Sequence, residues 1–192
     1  MNLRGAQGVV PRAQGTVYFH MVLNPPGVRA VRFEGYGPEG EAVLIDCLTG
    51  DPEGMRAQLR RVLRAHGGFL GAEGAVSYLF DRVGRMRFAA DVDRVALTQA
   101  AYAAGAEAVS ATGGGLEVLT DPEELEAVRS SLAHQGWAAA AAEVTERPAL
   151  TLALQGGPAR RMQELLEALA EVDGVRHVYS NVEISGAVLA RV

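Results

Sequence analysis

A chain of 192 residues with 48% hydrophobic and 21% charged side chains has ordinary globular composition, with length for one larger core or two small ones. Its formal net charge of −5 excludes a uniform electrostatic pull on nucleic acid, so any such binding needs a local basic patch. A single cysteine, Cys47, excludes an internal disulfide framework and a cysteine-based zinc site, and no apolar run approaches the ~20 residues of a membrane span. All eighteen basic side chains are arginine, a bias of the kind that genomic base composition produces. Arg4 and Arg12 are followed by Pro11, Gln14 and Gly15 rather than by an apolar secretory core, so the expected location is the cytoplasm.

Residues 1–30 stand apart, with no acidic residue, four glycines and three prolines. One strand-like run, Thr16 to Leu23, is closed by Asn24-Pro25-Pro26-Gly27, and the segment is expected to be poorly ordered or to add one edge strand. Regular patterning is expected from residue 41. The run from Glu41 to Leu48 reads as a strand, with Cys47 in it as a small hydrophobe. A helix is predicted over 53–66, with Met55, Leu59, Val62 and Leu63 at helical spacing and Gly67-Gly68 as its stop. Two short strands, Ala75 to Phe80 and Arg85 to Ala89, are expected to flank a hairpin loop at Asp81–Gly84. A helix over 92–104 should open at Asp91 and end at Gly105. A hairpin of Glu107–Thr112 and Leu116–Thr120 turns on the glycines between them. Asp121-Pro122-Glu123-Glu124 has the form of a helix start, with Leu125, Val128 and Leu132 as the buried face and Gly136 as the stop. A strand from Ala138 to Val144, a run from Leu150 to Leu154, a helix opened by Pro158 and a strand from Val175 to Ile184 complete the chain.

The order strand, helix, strand, strand at the front and helix, strand at the back makes a split βαβ pair of the ferredoxin-like kind. The stretch between has its own helical stripes and reads as a second module inserted into the first. The predicted fold is α+β, in two small ferredoxin-like α/β-sandwich domains. Residues 31–90 with 146–192 form the discontinuous one, and 91–145 the inserted one.

Gly35-Tyr36-Gly37-Pro38-Glu39-Gly40 matches the G-x-G-x-x-G letters of a dinucleotide loop. A strand rather than a helix follows it, so it reads as a tight turn. His20, His66, His134 and His177 have no metal-ligand spacing and lie in no catalytic signature, and no catalytic residue, metal or cofactor is assigned. His66 and His134 sit near glycine stops, where a helix C-terminus favours them. The informative pattern is basic. Arg56, Arg60 and Arg64 recur at four-residue intervals with Arg61 beside them, opposite Met55, Leu59 and Leu63. Arg82, Arg85 and Arg87 follow. A solvated helix face is the ordinary explanation, and a phosphate-contacting patch for DNA or RNA is the functional one. Without an aromatic stacking pair beside it, base readout in the manner of an RRM is not expected.

At Phe33–Gly40 the chain resembles the "YEGYGPGG" segment of the YebC/PmpR family. Gly67–Gly71 with Gly74–Phe80 is similar to that family's "GGNLG" and "GSVAYLF", Ala103–Glu107 to "EAGAED", and Val178–Ile184 to "VYHNGEI". Phe69, Ser180 and Val182 depart from the family letters. The resemblance implies three domains, a basic N-terminal helical bundle and two α+β domains, the third inserted in the second. The bundle has no visible counterpart in residues 1–30. It also implies a regulatory protein that is not an enzyme, binding DNA in transcription or binding the ribosome and its RNA in translation. The alternative is an interaction module that kept the two α+β domains for protein contacts. Neither membrane nor small-molecule partners are expected, and the oligomeric state is open.

Overall fold

The computed structural model describes residues 27–184. The fold is α+β, and its described residues fall into two compact units, one of 27–83 with 145–184 and the other of 84–144 inserted between them.

In the discontinuous unit, β1 (Arg29–Tyr36) and β2 (Ala42–Thr49) form an antiparallel hairpin, with Phe33 opposite Ile45. The helix α1 (Pro52–Ala65) follows, then β3 (Phe69–Leu70), which returns to the free edge of β1. Late in the chain come β8 (Leu152–Leu154), α4 (Gly156–Ala170), β9 (Val175–Ser180) and β10 (Val182–Ile184). The main sheet has the order β3-β1-β2-β9, and β8 pairs with β10 in a separate parallel ribbon. One face of the main sheet buries Phe33, Val43, Ile45 and Cys47 against Met55, Leu59 and Leu63 of α1 and Met162, Leu165 and Leu169 of α4. On the other face Ala42 and Leu44 pack with Val76 and Phe80.

The inserted unit is a sheet of order β5-β6-β4-β7, built from β4 (Phe80–Phe88), β5 (Ala108–Thr112), β6 (Gly115–Thr120) and β7 (Ala141–Pro148). Its core joins Met86, Phe88, Leu116 and Val118 to Leu97 and Ala101 of α2 (Arg94–Ala103) and to Leu125, Val128 and Leu132 of α3 (Leu125–His134).

Helix ends follow their local chemistry. Asp51 caps α1 by accepting from the Gly54 amide at 2.9 Å, with Pro52 as the first helical residue. At its other end Gly67 takes φ +81°, and the Gly68 amide donates to Leu63 O at 2.8 Å. That is the six-to-one bond of a Schellman stop.

Several expectations are corrected. The strand β1 begins at Arg29, inside the segment expected to be poorly ordered or to add one edge strand through Thr16–Leu23, and that run lies outside the described residues. Asp81–Gly84 is no hairpin loop: a short 3-10 turn at Ser77–Leu79 leads into the continuous β4. Gly84 is a glycine because a side chain there would meet Leu125 Cβ at 2.9 Å, not because the chain reverses. Asp93, not Asp91, caps α2. Asp121 accepts from the Glu123 amide in a turn, and α3 starts a full turn later, at Leu125. The last strand breaks at Asn181 into β9 and β10, which join different sheets.

Candidate nucleic-acid interface

The helix α1 lies with Met55, Leu59 and Leu63 fully or nearly buried, which fixes the opposite face toward solvent. That face carries Arg60, Arg61 and Arg64, all exposed and without a carboxylate partner among the described residues. Arg56 sits at the margin. Its guanidinium lies 5.3 Å from the Phe33 ring centroid, and its Nε is 3.7 Å from Glu53, an exposed pair of little energetic weight.

Of the other predicted cations, Arg82 is exposed on β4 within the same unit. Arg85 and Arg87 lie on the stretch of β4 that belongs to the inserted unit. Arg85 is engaged internally: it donates to Glu143 at 2.7 Å and approaches Glu117 at 3.8 Å. Arg87 is half-buried with no partner among the described residues. Of the seven, four stand on α1, one on the stretch of β4 in the same unit, and two on the stretch of β4 in the inserted unit.

The motif blocks converge on a different feature, the clasp around the β1–β2 turn. Glu34 is only 5% exposed, and its carboxylate accepts from the amides of Gly74 (2.8 Å), Val76 (2.7 Å) and Ser77 (2.9 Å). Burial pushes its pKa up, but the amides of Val76, Gly74 and Ser77 together outweigh it and hold the group below the usual glutamate value. Tyr36 stacks on Phe69 with centroids 4.7 Å apart and donates its hydroxyl to Ala75 O at 3.0 Å. Gly35 is required where β3 pairs, since a Cβ would stand 2.9 Å from Phe69 O. The Ala42 amide donates to Asn181 Oδ1 at 2.8 Å, which ties in the C-terminal block. In the turn itself Gly40 takes φ +93° and donates to Gly37 O, while Glu41, 1% exposed, accepts from the Glu39 amide through Oε2. The loop amides are spent on the protein's own oxygens, which leaves no cradle for a pyrophosphate.

Spacing could not flag Glu34, because an acid alternating with Phe33 in a strand looks solvent-facing. Among the described residues no group of three or more His, Cys, Asp or Glu side chains could hold a metal ion, and no helix is long and apolar enough to cross a membrane.

The family model for the second and third domains of TACO1/YebC proteins matches residues 28–182, which take in both units. The chain belongs to the TACO1/YebC family. Two TACO1/YebC relatives, each named a probable transcriptional regulatory protein, come from Nitrosomonas eutropha and Methylococcus capsulatus. The first is 43% identical over 151 residues, covering 78% of this chain and 63% of the relative. The second is 42% identical over 161 residues, covering 83% and 65%. The chain thus spans just under two thirds of the length of these relatives. The crystal structure of a conserved hypothetical protein from Aquifex aeolicus superposes with a TM-score of 0.75 at 34% identity, covering 88% of this chain and 70% of that one. The segments Phe33–Gly40, Gly67–Phe80 and Val178–Ile184 each contribute residues to the contacts around Glu34, Tyr36 and Ala42. The α1 arginines lie outside those segments.

Proposed function

We propose that this chain acts as a nucleic-acid-associated regulatory protein, contacting phosphates of DNA or of ribosomal RNA through α1. The observation that carries the reading is the row of exposed cations at Arg60, Arg61 and Arg64, unpaired among the described residues, with Arg56 at its edge, on a molecule whose net charge is negative. Four-residue steps on a helix advance about 6 Å each on one face, so the row can follow a phosphate backbone rather than a single anion. Guanidinium forks suit phosphate oxygens, and a row of them positions a protein without reading sequence. The names carried by the relatives favour the same direction. Arg82 is a candidate extension of the patch. Arg85, held by two glutamates, and the half-buried Arg87 are weaker candidates. The reading assigns the chain no chemistry of its own.

The test is a salt-titrated binding assay on wild type and on the triple variant Arg56→Gln, Arg60→Gln, Arg64→Gln, using duplex DNA and ribosomal RNA fragments. Affinity should fall on all sequences alike, and the slope of log K against log salt should shrink by about one for each lost contact. Glutamine and arginine have similar helix propensity, so circular dichroism should be unchanged. Absence of binding by both proteins would leave the protein-interaction module as the surviving reading.

A further inference from the structure

The face of the main sheet turned away from α1 and α4 is only partly covered. Val175 and Val178 of β9 pack toward the helices, so His177 and Tyr179 alternate onto the other face, opposite Asp46 and Leu44 of β2. Their rings stack with centroids 5.9 Å apart at an interplanar angle of 25°. Tyr179 is half-buried and packs against the cluster of Ala42, Leu44, Val76 and Phe80, which anchors the pair, whereas His177 is exposed. Beside it opens a shallow cleft whose lining includes Ala30, Arg32, Asp46, Leu48 and Arg176.

The charges on this face are arranged unevenly. Arg32 makes a bidentate fork to Asp46 at 2.7 and 2.9 Å, and its Nη2 also lies 2.8 Å from Glu146. Those three side chains carry one net negative charge, which disfavours a phosphate at the centre. They also hold the Arg32 guanidinium flat in place. At the rim, Arg176 is exposed and without a partner among the described residues. A flat aromatic ring on a sheet, a cleft that rejects anions at its middle and one free cation at its edge match a base with its phosphate displaced to the side. A base within a duplex has both faces already stacked, so only an unstacked one can use such a platform.

We propose that this face holds one base of a single-stranded nucleic acid, stacked on His177, with the adjoining phosphate on Arg176. The proposal rests on the nucleic-acid reading above but not on its site, because α1 covers the opposite face of the same sheet. It restores the aromatic contact that the linear sequence did not reveal.

The experiment uses the full chain and two fluorescein-labelled twelve-nucleotide strands, one of mixed sequence and one with an abasic tract in place of its bases. His177→Ala should weaken binding of the base-bearing strand about tenfold, within the range a stacked base contributes. Binding of the abasic strand should not change. His177→Phe should restore most of the affinity, since it keeps the ring and loses the nitrogens. Arg176→Gln should weaken both strands. Wild-type affinity in His177→Ala, with the strands still bound and still sensitive to the α1 triple variant, would overturn the platform and leave the α1 reading standing. Failure of the wild type to bind either strand, with duplex DNA or ribosomal RNA still bound, would likewise overturn the platform and leave the α1 reading standing, whereas failure to bind any of these would overturn both.

Discussion

A carboxylate withdrawn almost wholly from water survives only where donors replace the lost hydration, and at Glu34 the amides of Gly74, Val76 and Ser77 do so. The consequence is a linkage to pH. Because the folded pKa lies below the unfolded one, the carboxylate's contribution is fully present above the unfolded value and is lost as pH falls through the folded value. Glu34→Gln puts an amide group where only an acceptor fits, leaving at least one buried N–H unanswered. The variant should be about 2 kcal/mol less stable at neutral pH. Its stability should also fall less steeply than that of wild type below the ordinary glutamate range, since it has no proton to take up. Urea titrations at several pH values would measure both, and parallel acid profiles for the two proteins would show that the clasp is not where the acid sensitivity resides.

At the level of elements, the helices were legible from their apolar stripes and their glycine stops, Gly67-Gly68 after α1 and Gly136 after α3, whereas the starts of α2 and α3 fall later than expected. The strands were less so. Regular patterning is expected only from residue 41, which misses β1: its charged residues are answered far away in sequence, Arg32 by Asp46 and Glu146 and Glu34 by loop amides. Asp81–Gly84 mimicked a turn because a glycine demanded by close approach looks the same, in sequence, as one demanded by a positive φ. The Arg row on α1 was readable from its spacing alone, whereas the engagement of Arg85 by Glu143 and Glu117 depends on which strands flank β4. The α1 caps matter for function because they hold the helix on which the row stands. Asp51→Ala should cost about 1 kcal/mol. In a folded variant the binding affinity and salt slope should stay at wild-type values, because Asp51 lies a turn before Arg56 and its loss frays the end rather than the row. A slope that falls with Asp51→Ala would mean that the first turn itself contacts phosphate.

On the scale of the whole molecule, the two units have separate hydrophobic cores with no buried residue in common. The chain happens to carry one natural reporter for each. Its single tryptophan, Trp137, packs against the core of the inserted unit, and its single cysteine, Cys47, is buried in the core of the other. Burial, with Asp46's charge beside it, pushes the Cys47 thiol up to about 11, so modification requires the sheet to open. Leu97 is fully buried among Met86, Phe88 and Val128, and Leu97→Ala removes side-chain volume that neighbours cannot refill. The variant should lose about 2–5 kcal/mol as read by the denaturant midpoint of Trp137 fluorescence. If each core is its own cooperative unit, the rate of Cys47 labelling under native conditions should stay within about twofold of wild type, because that rate follows local opening of the other sheet. Labelling that accelerates in proportion to the lost tryptophan stability would show instead that β4 and β7, whose residues are divided between the two units, bind both cores into a single transition.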